Sequence, residues 1–137
     1  MSVESSLKTQ AVASVTAIDA NHLVHGDYHE FRPDPPFPRV MFWAMPGSSI
    51  PVRTWRGGAQ VEKRRYRFWC VDKDASGARG AADCITMANE LRAGLDDFED
   101  SGDNICRVLY EQTFDIQEPL DERTHVRVVD FDVFVTL

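Results

Sequence analysis

From about residue 77 to 98 the apolar residues of this chain recur every three or four positions, and on either side of that stretch they recur every two. This change of period is the strongest constraint on the fold, because a helix buries one stripe and a strand buries alternate side chains. Within "ARGAADCITMANELRAGLDDF" the positions Ala81, Cys84, Ile85, Ala88, Leu91, Leu95 and Phe98 share one helical face. The acidic "DDFEDSGDN" after it, with Gly102 and Asn104 as stop residues, predicts a turn.

Upstream, "VEKRRYRFWCV" places Tyr66, Phe68 and Cys70 on one side of a strand and Lys63, Arg65, Arg67 and Trp69 on the other. The basic side is expected to meet solvent or a partner, and Arg65 and Arg67 are expected to accept substitution without unfolding. Downstream, two alternating stretches read as an antiparallel hairpin across "EPLDER". The first is "NICRVLYEQTFDIQ", with Cys106, Val108, Tyr110, Phe114 and Ile116 on one face. The second is "THVRVVDFDVFVTL", with Val129, Phe131, Val133, Val135 and Leu137 on one face.

The remaining segments complete the outline. Residues 5 to 17 suit a short helix starting near Ser5 or Ser6, with Leu7, Ala11, Val15 and Ile18 inward. "RVMFWAM" reads as a buried strand, and Arg56, Gly57 and Gly58 as a hairpin tip between "VRTW" and the basic strand. Residues 19–38 hold four prolines between His29 and Arg39 and predict a loop or extended arm. The expectation is therefore a single α+β domain over residues 1–137, an antiparallel sheet with a long helix and a short N-terminal helix packed on one face. A chain of 137 residues is long enough to hold such a core without staples.

Cys70, Cys84 and Cys106 are odd in number, with spacings that fit neither a disulfide framework nor a paired zinc site, and read as reduced thiols. No apolar run approaches the roughly 20 residues of a membrane span, and the chain reads as soluble, made in a cytosol, with no membrane partner.

Chemistry is thinly signalled. His25 and His29 are four apart, but Gly26 and Pro33 argue against the helix that would make them zinc ligands. Asp130 and Asp132 lie on one strand face, where they either hold a divalent cation or pair with basic side chains across the sheet; the plentiful Arg and Lys favour pairing. "RGGA" lacks the Lys-Ser/Thr of a phosphate cradle, Ser48 and Ser49 lack a nucleophile elbow, and Cys84 faces the core. The expectation is no enzyme, no cofactor and no metal. A net charge of −7 opposes binding to nucleic acid.

Charge is nevertheless polarised. Residues 51 to 80 carry eight Lys or Arg against three acids, and residues 90 to 122 carry eleven acids against two Arg. Either this is a solvated dipolar surface, or one subunit's basic region faces the next subunit's acidic one in a head-to-tail ring. On the second reading the interface residues are Lys63, Arg65, Arg67 and Trp69 against Asp96, Asp97, Glu99 and Asp100, with Phe31 and Phe37 reaching from the arm.

From "PRVMFW" to "DFDVFVTL" the chain resembles the tail terminator and tail-completion proteins of long-tailed bacteriophages. The matching layout is a short strand after proline, the long strand "RRYRFWCVDKDASG", the helix "AADCITMANELRAGL" and the terminal hairpin. The resemblance implies a homo-oligomer, a hexameric ring in the virion that caps the tail tube, stops its polymerisation and joins the neck. Implied partners are the major tail tube protein, a head-completion or neck protein and the tape measure protein, with genomic DNA passing through the lumen unread. Its alternatives are a head-completion or neck connector, and a small-molecule-binding α+β domain.

Overall fold

A computed structural model of the chain describes residues 2–25, 36–52, 60–73, 80–116 and 124–136. Helix α1 runs Val3–Ser14, strand β1 Leu23–His25, β2 Arg39–Ala44, β3 Ile50–Val52 and β4 Val61–Lys73. Helix α2 spans Gly80–Leu95, a 3-10 turn Ser101–Asp103, β5 Ile105–Asp115 and β6 Thr124–Thr136. The strands form one sheet in the order β1-β2-β4-β6-β5, with β3 also paired to β4. Every pairing is antiparallel except the three-residue parallel match of β1 with β2. The α+β expectation holds, with both helices on one face of the sheet.

The core lies between helices and sheet. Tyr66, Phe68 and Cys70 of β4 and Val129, Phe131, Val133 and Val135 of β6 all point into it, as their alternation requires. Phe68 stacks on Phe42 at 4.9 Å and meets Phe131 edge-on at 5.5 Å, geometries that favour the ring quadrupoles. From α1 come Leu7 and Ala11, from the chain just after it Val15 and Ile18, and from α2 Cys84, Met87, Ala88, Leu91 and Leu95. Each fully buried Leu or Phe contributes about 1.5–3 kcal/mol by leaving water.

Several sequence expectations are corrected. Helix α1 begins earlier, because Ser2 supplies the N-cap, its hydroxyl accepting from the Ser5 N–H at 3.1 Å. Helix α2 buries a narrower arc than its spacing suggested: Met87 takes a core place, while Ala81 and Ile85 are exposed. The segment read as an irregular arm contains β1, whose Leu23 is buried against the core. The RGG tip and Leu137 lie outside the described residues, although β3 pairs with Val61–Lys63 as a hairpin there requires.

The largest correction concerns β5. Its register against β6 slips between Ile105 and Arg107 and again between Tyr110 and Gln112. Each bulge inserts a residue and flips the parity of the strand beyond it. Ile105, Val108, Tyr110 and Thr113 therefore share the core side, while Cys106 is exposed and Phe114 moves to the opposite face.

The helices approach closely where Gly94 meets Ser14. A Cβ on Gly94 would overlap both the Oγ and the Cβ of Ser14, so no rotamer of Ser14 clears it. Gln10 Nε2 donates to the Gly94 carbonyl at 2.9 Å at the same crossing. Gly94→Ala is expected to destabilise the domain by about 2 kcal/mol despite the better helix propensity of alanine. Ser14→Gly in the same chain should recover most of that loss in a thermal melt; a stabilised Gly94→Ala single variant would contradict this packing.

A candidate interface on the open face of the sheet

The helices leave the other sheet face uncovered by secondary structure. Along its centre runs a ladder of charges on β4 and β6, the two longest strands, whose register sets Arg67 opposite Asp130 and Arg65 opposite Asp132. Arg67 donates from Nε and an NH2 group to the two Asp130 oxygens at 2.9 and 3.0 Å. Gln112 of β5 donates to Asp130 at 2.7 Å. Asp130 is 0% exposed and its charge is offset in place. Arg65 Nε reaches Asp132 at 3.1 Å, another of its guanidinium nitrogens reaches Glu111 at 3.4 Å, and Lys63 lies 3.9 Å from Asp132. The carboxylates thus pair with basic side chains, as favoured from sequence. The predicted basic face is in fact a mixed one, its cations matched within the chain.

Apolar groups flank the ladder. On one side Trp43 meets Trp69 edge-on at 5.5 Å over buried Met41 and Val71, a second cluster separate from the main core. The Arg67 guanidinium lies 5.1 Å from the Phe114 ring centre. Further along the same edge of β4, Met45, Pro46 and Ile50 line a hollow of about 330 Å³ with Lys63, Arg65, Arg67 and Asp132. Sequence reasoning missed Gln112, Trp43 and Phe114, because only the bulges and the pairing register bring them here.

The acidic segment after α2 lies elsewhere, and its groups are mostly engaged within the chain. Asp97 N–H donates to the Val108 carbonyl and the Val108 N–H donates to the Phe98 carbonyl, so this turn covers the edge of β5. Asp96 accepts from the Tyr110 N–H at 2.9 Å, Asp97 accepts from Arg107, and Asp100 accepts from the Ser6 hydroxyl and the Gly102 N–H. Glu99 is exposed. Phe37 is exposed beneath the Arg39 guanidinium, 3.7 Å from its ring centre, and Phe31 lies outside the described residues.

Titratable groups in the core serve packing. Burial alone would raise the Glu4 carboxyl, but the 2.8 Å hydrogen bond from Tyr66, its own backbone N–H, His25 and Arg64 together hold it below its ordinary value. Burial, reinforced by Glu4, pushes the Tyr66 hydroxyl well above its ordinary value, so it remains a donor. Burial likewise raises both inner thiols, that of Cys84 to about 12, which fits the expectation that it is no nucleophile.

No protein-family model matches the sequence, nor does any curated protein. Among solved structures fourteen chains match. The fold is shared with a virion chain. That chain belongs to a structure described as the virion of a native gene transfer agent (GTA) particle, with a TM-score of 0.65 over 99% of this chain and 96% of the other. The two are 10% identical, so what they share is the architecture, end to end.

Proposed function

We propose that this chain is a structural virion protein, a ring-forming tail terminator that caps the tail tube, stops its polymerisation and joins the tail to the neck. The observation that carries the reading is the likeness of the whole chain, from one end to the other, to a chain of a gene transfer agent virion. The layout of short strand, long strand, helix and hairpin, which resembles tail terminators, supports the finer assignment. On this reading the work is binding without turnover, in the tail at its head-proximal end, with the tube, neck and tape measure proteins as neighbours. The ring is closed and hexameric, and an overall acidic subunit suits a lumen through which DNA slides without being held.

The candidate interface residues Lys63, Arg65, Arg67 and Trp69 keep their place in this proposal, with a changed role. Their charges are already matched by Asp130, Asp132 and Glu111, so the ring seam draws on packing more than on attraction between oppositely charged segments.

Deleting the gene from its particle tests the function. The expected result, by electron microscopy, is full heads without tails, together with free tubes of uncontrolled length. Tubes of normal length beside leaking heads would point to a neck connector instead. Normal, infectious or DNA-delivering particles would end the structural reading.

A further inference from the structure

The domain has two broad surfaces, and charge is paired or sparse along the centre of each. On the open sheet face the described charges along the centre are paired, and Asp130 is sealed from water before any partner arrives. On the helix layer the exposed positions of α1 are Ser5, Thr9 and Ala13, and those of α2 include Ile85, Thr86, Asn89 and Ala93. Arg92 is the one charged residue among the most exposed positions of the two helices, and it is stacked over Tyr110 at 3.9 Å; Glu4, Lys8, Asp83 and Glu90 are half-buried, with Glu4 bonded to Tyr66 and Glu90 to Thr16. A helix facing water ordinarily carries charge on its outer side. The crest of this layer is made instead of small, uncharged side chains and Ile85.

We propose that these two surfaces are partners of each other: the open sheet face of one copy packs on the helix layer of a second copy of this chain, head to tail. The inference rests on the ring-forming reading above and names its seam.

Three arguments support that occupant. The first is area. Two thirteen-residue strands with their neighbours on both sides form a face on the order of 800 Å², which is what one partner of a stable protein interface buries. The second is electrostatic. A paired and hydrogen-bonded ladder can be covered without stranding a charge, whereas an unmatched row of Arg and Lys could not. The third is that the contact joins unlike surfaces. Sheet on helices covers both of these faces in every copy, whereas sheet on sheet would leave all the helix layers bare, and contact between unlike surfaces is what closes rings. Exposed apolar side chains stand on both sides: Phe114 and Ile50 on the sheet, and Ile85 on α2, at the mouth of a mixed hollow of about 320 Å³ between α2 and the ends of β5 and β6 that Asp115, Thr124 and His125 also line.

Two single variants of the full chain, Phe114→Glu and Ile85→Glu, decide the matter. Both sites are well exposed in the single copy, at 37% and 45%, so the variants should keep wild-type circular dichroism. Light scattering on a sizing column should show wild type as an oligomer and each variant alone as a monomer, with association weakened about a hundredfold or more by a charge placed in the seam. Mixed together, the two variants should form a one-to-one dimer that grows no further, because one intact sheet face still meets one intact helix layer. Loss of assembly in Phe114→Glu with none in Ile85→Glu would mean sheet on sheet and overturn the proposal. Wild-type chain that stays monomeric alone, or that assembles only when other particle proteins are added, overturns it too. If both variants still form rings, the seam is elsewhere while the ring reading stands; the gene deletion tests that reading separately.

Discussion

Leu91→Asp is expected to leave no folded protein. Leu91 is 0% exposed in the middle of α2, facing the sheet among Leu7, Met87 and Leu95 in the main cluster. The substitution removes about 2–3 kcal/mol of apolar burial and adds several kcal/mol for a carboxylate without a partner. Domains of this size hold about 5–15 kcal/mol in total, so the combined loss takes most or all of the stability. Far-ultraviolet circular dichroism and protease digestion of the purified chain would report it. The control is Ile85→Glu on the exposed side of the same helix, which should remain folded; a cooperative melt for Leu91→Asp near that of wild type would show that α2 does not dock as described.

Arg67→Glu is the second large effect: the variant should still fold, as its outward-facing place in β4 suggests from sequence, but at a cost that only the structure reveals. The alternation of β4 correctly sends Arg67 away from the helix-side core, but its partner Asp130 is wholly buried. A glutamate at 67 sets a second carboxylate against the first and leaves Asp130 with Gln112 as its remaining described side-chain donor. Breaking a buried pair by removing one member costs about 3–5 kcal/mol; with Arg67 24% exposed, water moderates this to about 3 kcal/mol. In a chain of this length that corresponds to a fall in Tm of about 10 °C. The paired replacement Arg67→Met with Asp130→Leu removes both charges and should melt close to wild type. If Arg67→Glu melted like wild type, the ladder would contribute nothing to stability, and the argument that its charges are offset before assembly would fail with it.

The residues that were read correctly from sequence share one property: their placement depends on near neighbours along the chain. The inward set of β6, the inward set of β4 and most of α2's buried arc follow from periods of two and 3.6 that any local window contains. The exceptions mark where the local signal ends. Ile85 fits the helical spacing, yet lies outside the arc that the sheet covers, and Met87 lies inside it. Cys106 and Phe114 fit the alternation, yet two bulges turn them outward, and an inserted residue leaves no compositional trace. The candidate interface shows the same division. Lys63, Arg65, Arg67 and Trp69 were recognisable as one strand face, whereas Trp43, Gln112 and Phe114 joined them only through pairing with other strands.

What the sequence by itself determined was the kind of domain: a long amphipathic helix, a short one before it, and alternating strands that must hide one face, hence an α+β sheet with helices on one side. It also carried the uneven distribution of charge, but not its meaning. Only the tertiary structure decided that β6 lies between β4 and β5, that Asp130 and Asp132 therefore face Arg67 and Arg65, and that the acidic turn after α2 closes the edge of β5. The physical reason is that periodicity and turn chemistry act over a few residues, while strand order and register are chosen by burial and hydrogen bonding between segments distant in the chain. Arg67 and Asp130, 63 positions apart, become a buried pair only after that choice is made.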